Sequence, residues 1–270
     1  MTNFHLILLS ALQGLTEFLP VSSSGHLILF SKMTSFPDQG PELDIAVHVG
    51  SIIAVMIYFW REILEMIRGL WQSRLCPNFN ITGVKLAWLI LIATIPAVIV
   101  GFALKSYGLE NLRSAKLIGW TISCYAILLY IADKFGHSTR TVSDLSIKDA
   151  LIIGCAQCLA LIPGTSRSGI TITAGRFLGI QRREAAKFSM LLSIPTIAGA
   201  GLLVAFELLD SGNMADISMA LRGISYSFIA SLGAIYLMMA WLKKWTFAPF
   251  VIYRLCLGIW LLLDAYGWLN

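Results

Sequence analysis

Apolar residues run in long blocks along the chain, and polar positions are confined mostly to the intervals between them. Six blocks are continuous, at roughly 44–60, 86–104, 117–132, 188–208, 223–242 and 249–266. They predict membrane-spanning helices, because a hydrocarbon core about 30 Å thick needs about 20 apolar residues at 1.5 Å per residue. Two further apolar regions, 4–32 and 149–180, are each broken near the middle. The first break is Pro20-Val21-Ser22-Ser23-Ser24-Gly25 and the second is Pro163-Gly164-Thr165-Ser166-Arg167-Ser168-Gly169. Their flanking arms, about 12–16 residues each, are too short to cross alone. Both regions are therefore expected to be re-entrant hairpins, whose helices enter and leave on one side. Non-helical backbone at membrane depth is tolerated where it is buried in protein or lines a wet cavity. Two such breaks imply a polar site inside the membrane.

The two broken regions resemble each other. Gln13 lies twelve residues before Gly25, and Gln157 lies twelve before Gly169. Each glycine follows a serine, Ser24 or Ser168, and another serine, Ser22 or Ser166, lies two residues earlier; the prolines are out of step by one. Each copy is a hairpin followed by three spans, and an odd number of spans inverts the second copy. The expectation is an all-α integral membrane protein, one domain over 1–270, with about six transmembrane helices and two re-entrant helical hairpins. Its inverted-topology repeat has halves of approximately 1–135 and 149–270. Lys and Arg favour cytoplasmic segments. With the N-terminus outside, thirteen basic residues fall on the cytoplasmic side and five outside, so both termini are expected outside. Inverted repeats with broken helices place a site at the repeat interface.

Composition agrees. The chain is 57% hydrophobic and 13% charged, against about 45–50% and about 25% in soluble domains. Membrane lipids are thus its surroundings. The net charge of +5 belongs to cytoplasmic loops, and nucleic acid is excluded as a partner. Met1 to His5 holds no Lys or Arg, so no cleavable signal peptide is expected. The five cysteines are odd in number and do not form a disulfide framework. Cys155-x-x-Cys158 has no second Cys or His pair to complete a zinc site and reads as helix packing. Tryptophans near span ends, such as Trp60, Trp71 and Trp245, form an interfacial belt.

Polar residues inside apolar stretches are functional candidates, because the membrane makes them costly. The first hairpin offers Gln13, Glu17, Ser22, Ser23, Ser24 and His26. The second offers Gln157, Thr165, Ser166, Arg167, Ser168, Thr171 and Thr173. Gln13 and Glu17 are four apart and share a helix face, and Pro20 ends that helix. The next helix is expected to start near Gly25 and His26, and its counterpart near Ser168. Helix N-termini bind anions, and Arg grips phosphate as a planar fork. Two such tips meeting would form a phosphate cage. Singly, the serines also read as N-caps, His26 as a packing residue and Glu17 as a protonated hydrogen-bonding group. Asp44 reads as a helix cap, and His48 lies on a small-residue face. Jointly, a carboxylate, an imidazole, a serine cluster and a guanidinium sit at two matched breaks. Serine beside a base is a covalent-catalysis pairing.

Leu15-Thr16-Glu17-Phe18-Leu19-Pro20-Val21-Ser22-Ser23-Ser24-Gly25-His26 resembles the first signature of the undecaprenyl-diphosphate phosphatases, the bacitracin-resistance family. Pro163 to Gly169, with Thr171, resembles the second signature, and Phe250-Val251-Ile252-Tyr253-Arg254 is similar to a family segment. The resemblance implies hydrolysis of undecaprenyl diphosphate to the monophosphate, which recycles the lipid carrier of peptidoglycan synthesis and confers bacitracin resistance. It implies a divalent cation, Mg or Ca, a multi-pass protein of the bacterial inner membrane, and an active site open to the periplasm. A homodimer is one option for its assembly. Carried over, Ser23 is the nucleophile, His26 its acid/base partner, and Arg167 the phosphate clamp. Direct attack by His26 stays open. Glu17 orients His26 or holds the cation. Gln13, Ser22, Ser24, Thr165, Ser166, Ser168 and Thr171 line the substrate. The family's first motif allows Glu or Gln where Gln13 stands, so here any metal carboxylate is Glu17. The inverted repeat also fits a polyprenyl-phosphate transporter or flippase, which would leave the diphosphate intact.

Overall fold

A computed structural model describes residues 2–33, 41–105, 114–211 and 214–268. Among these the regular structure is helical, with one isolated bridge between Arg140 and Ile180. The chain order is α1 (Asn3–Phe18), α2 (Ser23–Met33), α3 (Pro41–Tyr58), α4 (Trp60–Gln72), α5 (Thr82–Lys105) and α6 (Ala115–Phe135). It continues with α7 (Ile147–Cys158), α8 (Arg167–Phe177), α9 (Arg182–Ser211), α10 (Met214–Trp241) and α11 (Ala248–Ala265). A helix stands at every apolar block read from the sequence. Among the described residues, four are long and apolar enough to cross a membrane: Thr82–Leu104, Ala115–Phe135, Ile217–Trp241 and Ala248–Ala265. A bent pair, Leu43–Tyr58 with Trp60–Gln72, would make a fifth. The protein is an all-α membrane protein.

The sequence reading did not anticipate α4. It turns 80° from α3 at Phe59, and exposes Trp60, Ile67 and Trp71. Its apolar positions recur every three to four residues between Arg61 and Arg68, which suits a helix lying in the membrane interface.

The helix ends follow local chemistry. Thr2 caps α1 through the His5 N–H at 3.4 Å, and Pro20 leaves Leu19 extended, which ends α1. Ser146 and Asp149 form a reciprocal capping box on α7. Small residues bring the helices together. A Cβ on Gly14 of α1 would overlap Ser227 of α10, and one on Gly154 of α7 would overlap Ala93 of α5. Such small contacts drive helix association in lipid.

The packing has the pattern of two matched halves. Helix α1 packs on α10 as α7 packs on α5, and α10 packs on α3 as α5 packs on α9. The α6–α11 and α3–α9 contacts each join equivalent helices. Away from the hairpin tips, α6, α8, α9 and α11 meet at Asp133. Its Oδ1 accepts from Arg176 Nε at 3.2 Å and Arg182 Nε at 2.6 Å, and its Oδ2 from the Phe247 N–H at 3.1 Å. Arg176 is fully buried there, so this network is a latch between helices.

Candidate active site

Both broken regions are helix–turn–helix, and their tips share an unusual backbone. Ser22 has φ +74° and Ser166 has φ +72°, a left-handed conformation that costs a non-glycine residue about 1–3 kcal/mol. Both then cap a helix. The Gly25 N–H donates to Ser22 Oγ at 3.3 Å, and the Gly169 N–H donates to Ser166 Oγ at 3.1 Å. Helices α2 and α8 thus begin at Ser23 and Arg167, slightly earlier than expected. Ser24 lies in the first turn of α2; its side chain is outside the described set.

The tips converge on Glu17, which is 6% exposed. Glu17 Oε1 accepts from Arg167 Nη2 at 3.1 Å. Glu17 Oε2 accepts from Gln13 Nε2 at 2.9 Å and from Ser23 Oγ at 2.7 Å. His48 Nε2 lies 3.5 Å from the same oxygen. Arg167 Nη1 also donates to the Ser189 carbonyl at 3.1 Å. Thr171 Oγ1 bonds the Arg167 carbonyl at 2.8 Å and Ser189 Oγ at 2.7 Å. Ser168 Oγ donates across to the Leu19 carbonyl at 3.0 Å and neighbours Ser166 Oγ at 3.2 Å.

The geometry does not join Ser23 to His26 by a hydrogen bond. His26 Nδ1 lies 2.7 Å from the Ser22 carbonyl, which only accepts, so Nδ1 carries a proton. In the neutral ring Nε2 then accepts from Tyr253 Oη at 2.6 Å, and the two rings stack with centroids 5.6 Å apart. The base beside Ser23 is Glu17.

Arg254 ends the segment Phe250-Val251-Ile252-Tyr253-Arg254 that is similar to the family's. It is fully buried and staples the two tips. Its Nη2 donates to the carbonyls of Gly164 at 3.1 Å and Thr165 at 3.0 Å, and its Nη1 to that of Pro20 at 3.4 Å. The signal was present as a cation inside the block 249–266, but its partners lie at the tips, far away in sequence. Thr165 Oγ1, both polar atoms of the Gln157 side chain, Gln13 Oε1 and the Nε atoms of Arg167 and Arg254 are buried without a partner. Arg167 and the first residues of two helices meet at one carboxylate, with Arg254 buried behind the tips, an arrangement that suits an anion. The cysteines, Cys155 and Cys158 included, are free.

A family model described as bacitracin resistance protein BacA matches residues 6–260. A protein named undecaprenyl-diphosphatase from Roseobacter denitrificans is 49% identical over 99% of this chain and 100% of its own length. Proteins of the same name from Alteromonas mediterranea and Dinoroseobacter shibae are 47% and 48% identical, over 96% and 99% of this chain and 97% and 100% of theirs.

Proposed function

The chain belongs to the BacA family of bacitracin-resistance proteins, and we propose that it hydrolyses undecaprenyl diphosphate to undecaprenyl phosphate and inorganic phosphate. The observation that carries the mechanism is Glu17, gripped on one oxygen by Arg167 from the second tip and on the other by Ser23 from the first. Ser23 Oγ attacks the terminal phosphorus and passes its proton to Glu17. The bond from that phosphorus to the bridging oxygen breaks, and undecaprenyl phosphate leaves with the electron pair. Water then attacks the phosphoserine phosphorus, the Oγ–P bond breaks, Ser23 Oγ takes back the proton held by Glu17, and inorganic phosphate leaves carrying the water's oxygen and protons. Arg167 and the N-termini of α2 and α8 stabilise the charge that builds on the phosphoryl oxygens. Ser22, Thr165, Ser166, Ser168 and Thr171 line this space, and Arg254 holds the two tips in register. His26, braced by Ser22 and Tyr253, is the alternative nucleophile through Nε2.

The family implies a divalent cation, Mg or Ca. Such ions bind through one or two carboxylates plus substrate phosphates. Glu17 and the unpartnered Gln13 Oε1 fit the protein side of that arrangement, and among the described residues no group of three acidic, His or Cys side chains offers a fuller cage. When bound, the ion would neutralise phosphate charge. We place the protein in the bacterial inner membrane, with six spans, two re-entrant hairpins, both termini outside and the site open to the periplasm. The basic loops support that orientation.

The test is phosphate release from undecaprenyl diphosphate by purified protein in detergent, with and without chelator. The expected result is release that chelator abolishes and added Mg or Ca restores. A diphosphate left intact in every condition would leave only lipid movement as its activity.

A further inference from the structure

The two tips match in backbone but are held differently. At the first, the Ser22 carbonyl accepts twice from His26, from its backbone N–H at 3.2 Å and from its Nδ1–H at 2.7 Å. At the second, the Ser166 carbonyl accepts from the Ile170 N–H at 2.9 Å. Ile170 stands to Ser166 as His26 stands to Ser22, four residues on, and its side chain has no donor to add. The second tip is tied instead by Arg254, which grips the carbonyls of Gly164 and Thr165 just before Ser166. At the first tip Arg254 reaches Pro20 at a longer 3.4 Å. The imidazole is therefore an added restraint on the tip that carries Ser23. Ser22 sits at φ +74°, a strained conformation that persists only where its neighbours over-determine it.

His26 is itself held at the far side of its ring. Its Nε2 accepts from Tyr253 Oη at 2.6 Å, and the two rings lie within 6° of parallel. Both contacts demand the same state. The Ser22 carbonyl only accepts, which puts a proton on Nδ1, and the neutral ring then offers Tyr253 a lone pair at Nε2. A flip of the ring would lose both bonds at once. His26 is buried, so water does not replace them cheaply. Tyr253 and Arg254 are neighbours on α11, and one helix thus holds both tips through consecutive residues.

We infer that Tyr253 is a positioning residue for the nucleophile: its hydroxyl fixes the His26 ring, His26 Nδ1–H holds the Ser22 carbonyl, and that carbonyl belongs to the peptide that carries Ser23. The Ser22 carbonyl carbon is bonded to the Ser23 nitrogen. A turn of that peptide plane therefore swings Ser23 Oγ away from Glu17 Oε2, its acceptor at 2.7 Å. A misplacement of about 1 Å at a reacting atom can cost about 10²-fold in rate. In this relay His26 works through Nδ1, and its Nε2 is engaged by Tyr253. The inference rests on the phosphatase reading for the reaction that the relay serves.

The test is phosphate release from undecaprenyl diphosphate by purified full-length variants, expressed per folded protein, beside nitrogen NMR of histidine-labelled protein without substrate. In Tyr253→Phe, kcat should fall roughly 3–10-fold, as expected for loss of one net hydrogen bond, with KM unchanged. An asparagine amide nitrogen overlays histidine Nδ1, whereas a glutamine amide overlays Nε2. His26→Asn should therefore keep more turnover than His26→Gln, and adding Tyr253→Phe to His26→Asn should change nothing further. The wild-type spectrum should show His26, identified by its loss in His26→Asn, as one neutral tautomer protonated at Nδ1. Tyr253→Phe should shift its Nε2 resonance and leave those of His48 and His137 in place. A raised KM with unchanged kcat would make Tyr253 a substrate contact and overturn the positioning role. So would wild-type kcat in Tyr253→Phe, His26→Asn as inactive as His26→Gln, or His26 protonated at Nε2 in wild type. A wild type that releases no phosphate would overturn the phosphatase reading, while the Nδ1 tautomer and its dependence on Tyr253 would still uphold or overturn the relay.

Discussion

Ser23→Ala and Glu17→Gln should each nearly abolish turnover, and the double variant should be little worse than either. Ser23 Oγ donates to Glu17 Oε2 at 2.7 Å, so the proton that must leave a serine nucleophile already points at its acceptor. A positioned base contributes about 10²–10⁴-fold; taking about 10³, the shared contribution is about 4 kcal/mol at 1.36 kcal/mol per decade. Groups that act as one unit lose that contribution once. The double variant should thus fall about 10³-fold, whereas independent roles would give about 10⁶-fold. Folding provides the control. The cap of α2 is Ser22, whose Oγ takes the Gly25 N–H. Ser22→Ala should therefore cost about 0.5–2 kcal/mol of stability. Ser23→Ala removes one charge-assisted bond from a carboxylate that keeps Gln13 and Arg167, and should cost less in stability than in rate. The assay is phosphate release per folded protein, measured beside thermal unfolding. Multiplicative losses would refute the shared unit, and normal turnover in Ser23→Ala would move the nucleophile to His26.

Three further outcomes are expected. Arg167→Lys should lose most phosphate release and Arg167→Ala nearly all, because an ammonium lacks the planar fork that holds the Glu17 carboxylate and the Ser189 carbonyl together; wild-type turnover in folded Arg167→Ala would end the clamp. Arg254→Met should lower stability by about 3 kcal/mol or more, since the carbonyls of Pro20, Gly164 and Thr165 lose a buried donor, each costing about 1–3 kcal/mol; an unchanged unfolding temperature would refute the staple. Single cysteines at positions 140 and 243 should label from the cytoplasm and one at position 270, which lies outside the described residues, from outside; cytoplasmic labelling at 270 would overturn the orientation.

The breaks at the two hairpins were legible because Pro20 and the Ser–Gly pairs punctuate the chain locally. The matched serines were legible too, and Ser22 and Ser166 share both the left-handed backbone and the cap. Helix α4 was not, since a search for continuous apolar runs passes over a stretch in which Trp60, Ile67 and Trp71 alternate with Arg61 and Arg68. The partner of Ser23 was misjudged for a different reason. The resemblance implies His26 as its acid/base partner, but Ser23 is the first residue of α2 and its hydroxyl turns back to Glu17 on α1. That depends on how α1 and α2 cross, which no local pattern states. The tips' dependence on Arg254, and His48's approach to Glu17, are likewise contacts between distant segments.

The repeat also explains why two matched tips make one site. Gln157 lies 144 positions after Gln13, and the same offset relates Ser22 to Ser166, Gly25 to Gly169 and Ser23 to Arg167. Ser23 and Arg167 are therefore equivalent: each is the first helical residue after its tip, and each reaches the carboxylate of Glu17, one at 2.7 Å and the other at 3.1 Å. The equivalent of Glu17 is Leu161, in the short turn at Leu159–Leu161 that precedes the second tip. A second carboxylate there would compete for Arg167 and cancel the positive balance that suits a diphosphate. With only Glu17 ionisable, one tip supplies a hydroxyl and its proton acceptor while the other supplies a fixed cation. The two tips share a left-handed serine and its cap, and the chemistry is divided by the different residues at just two related pairs of positions.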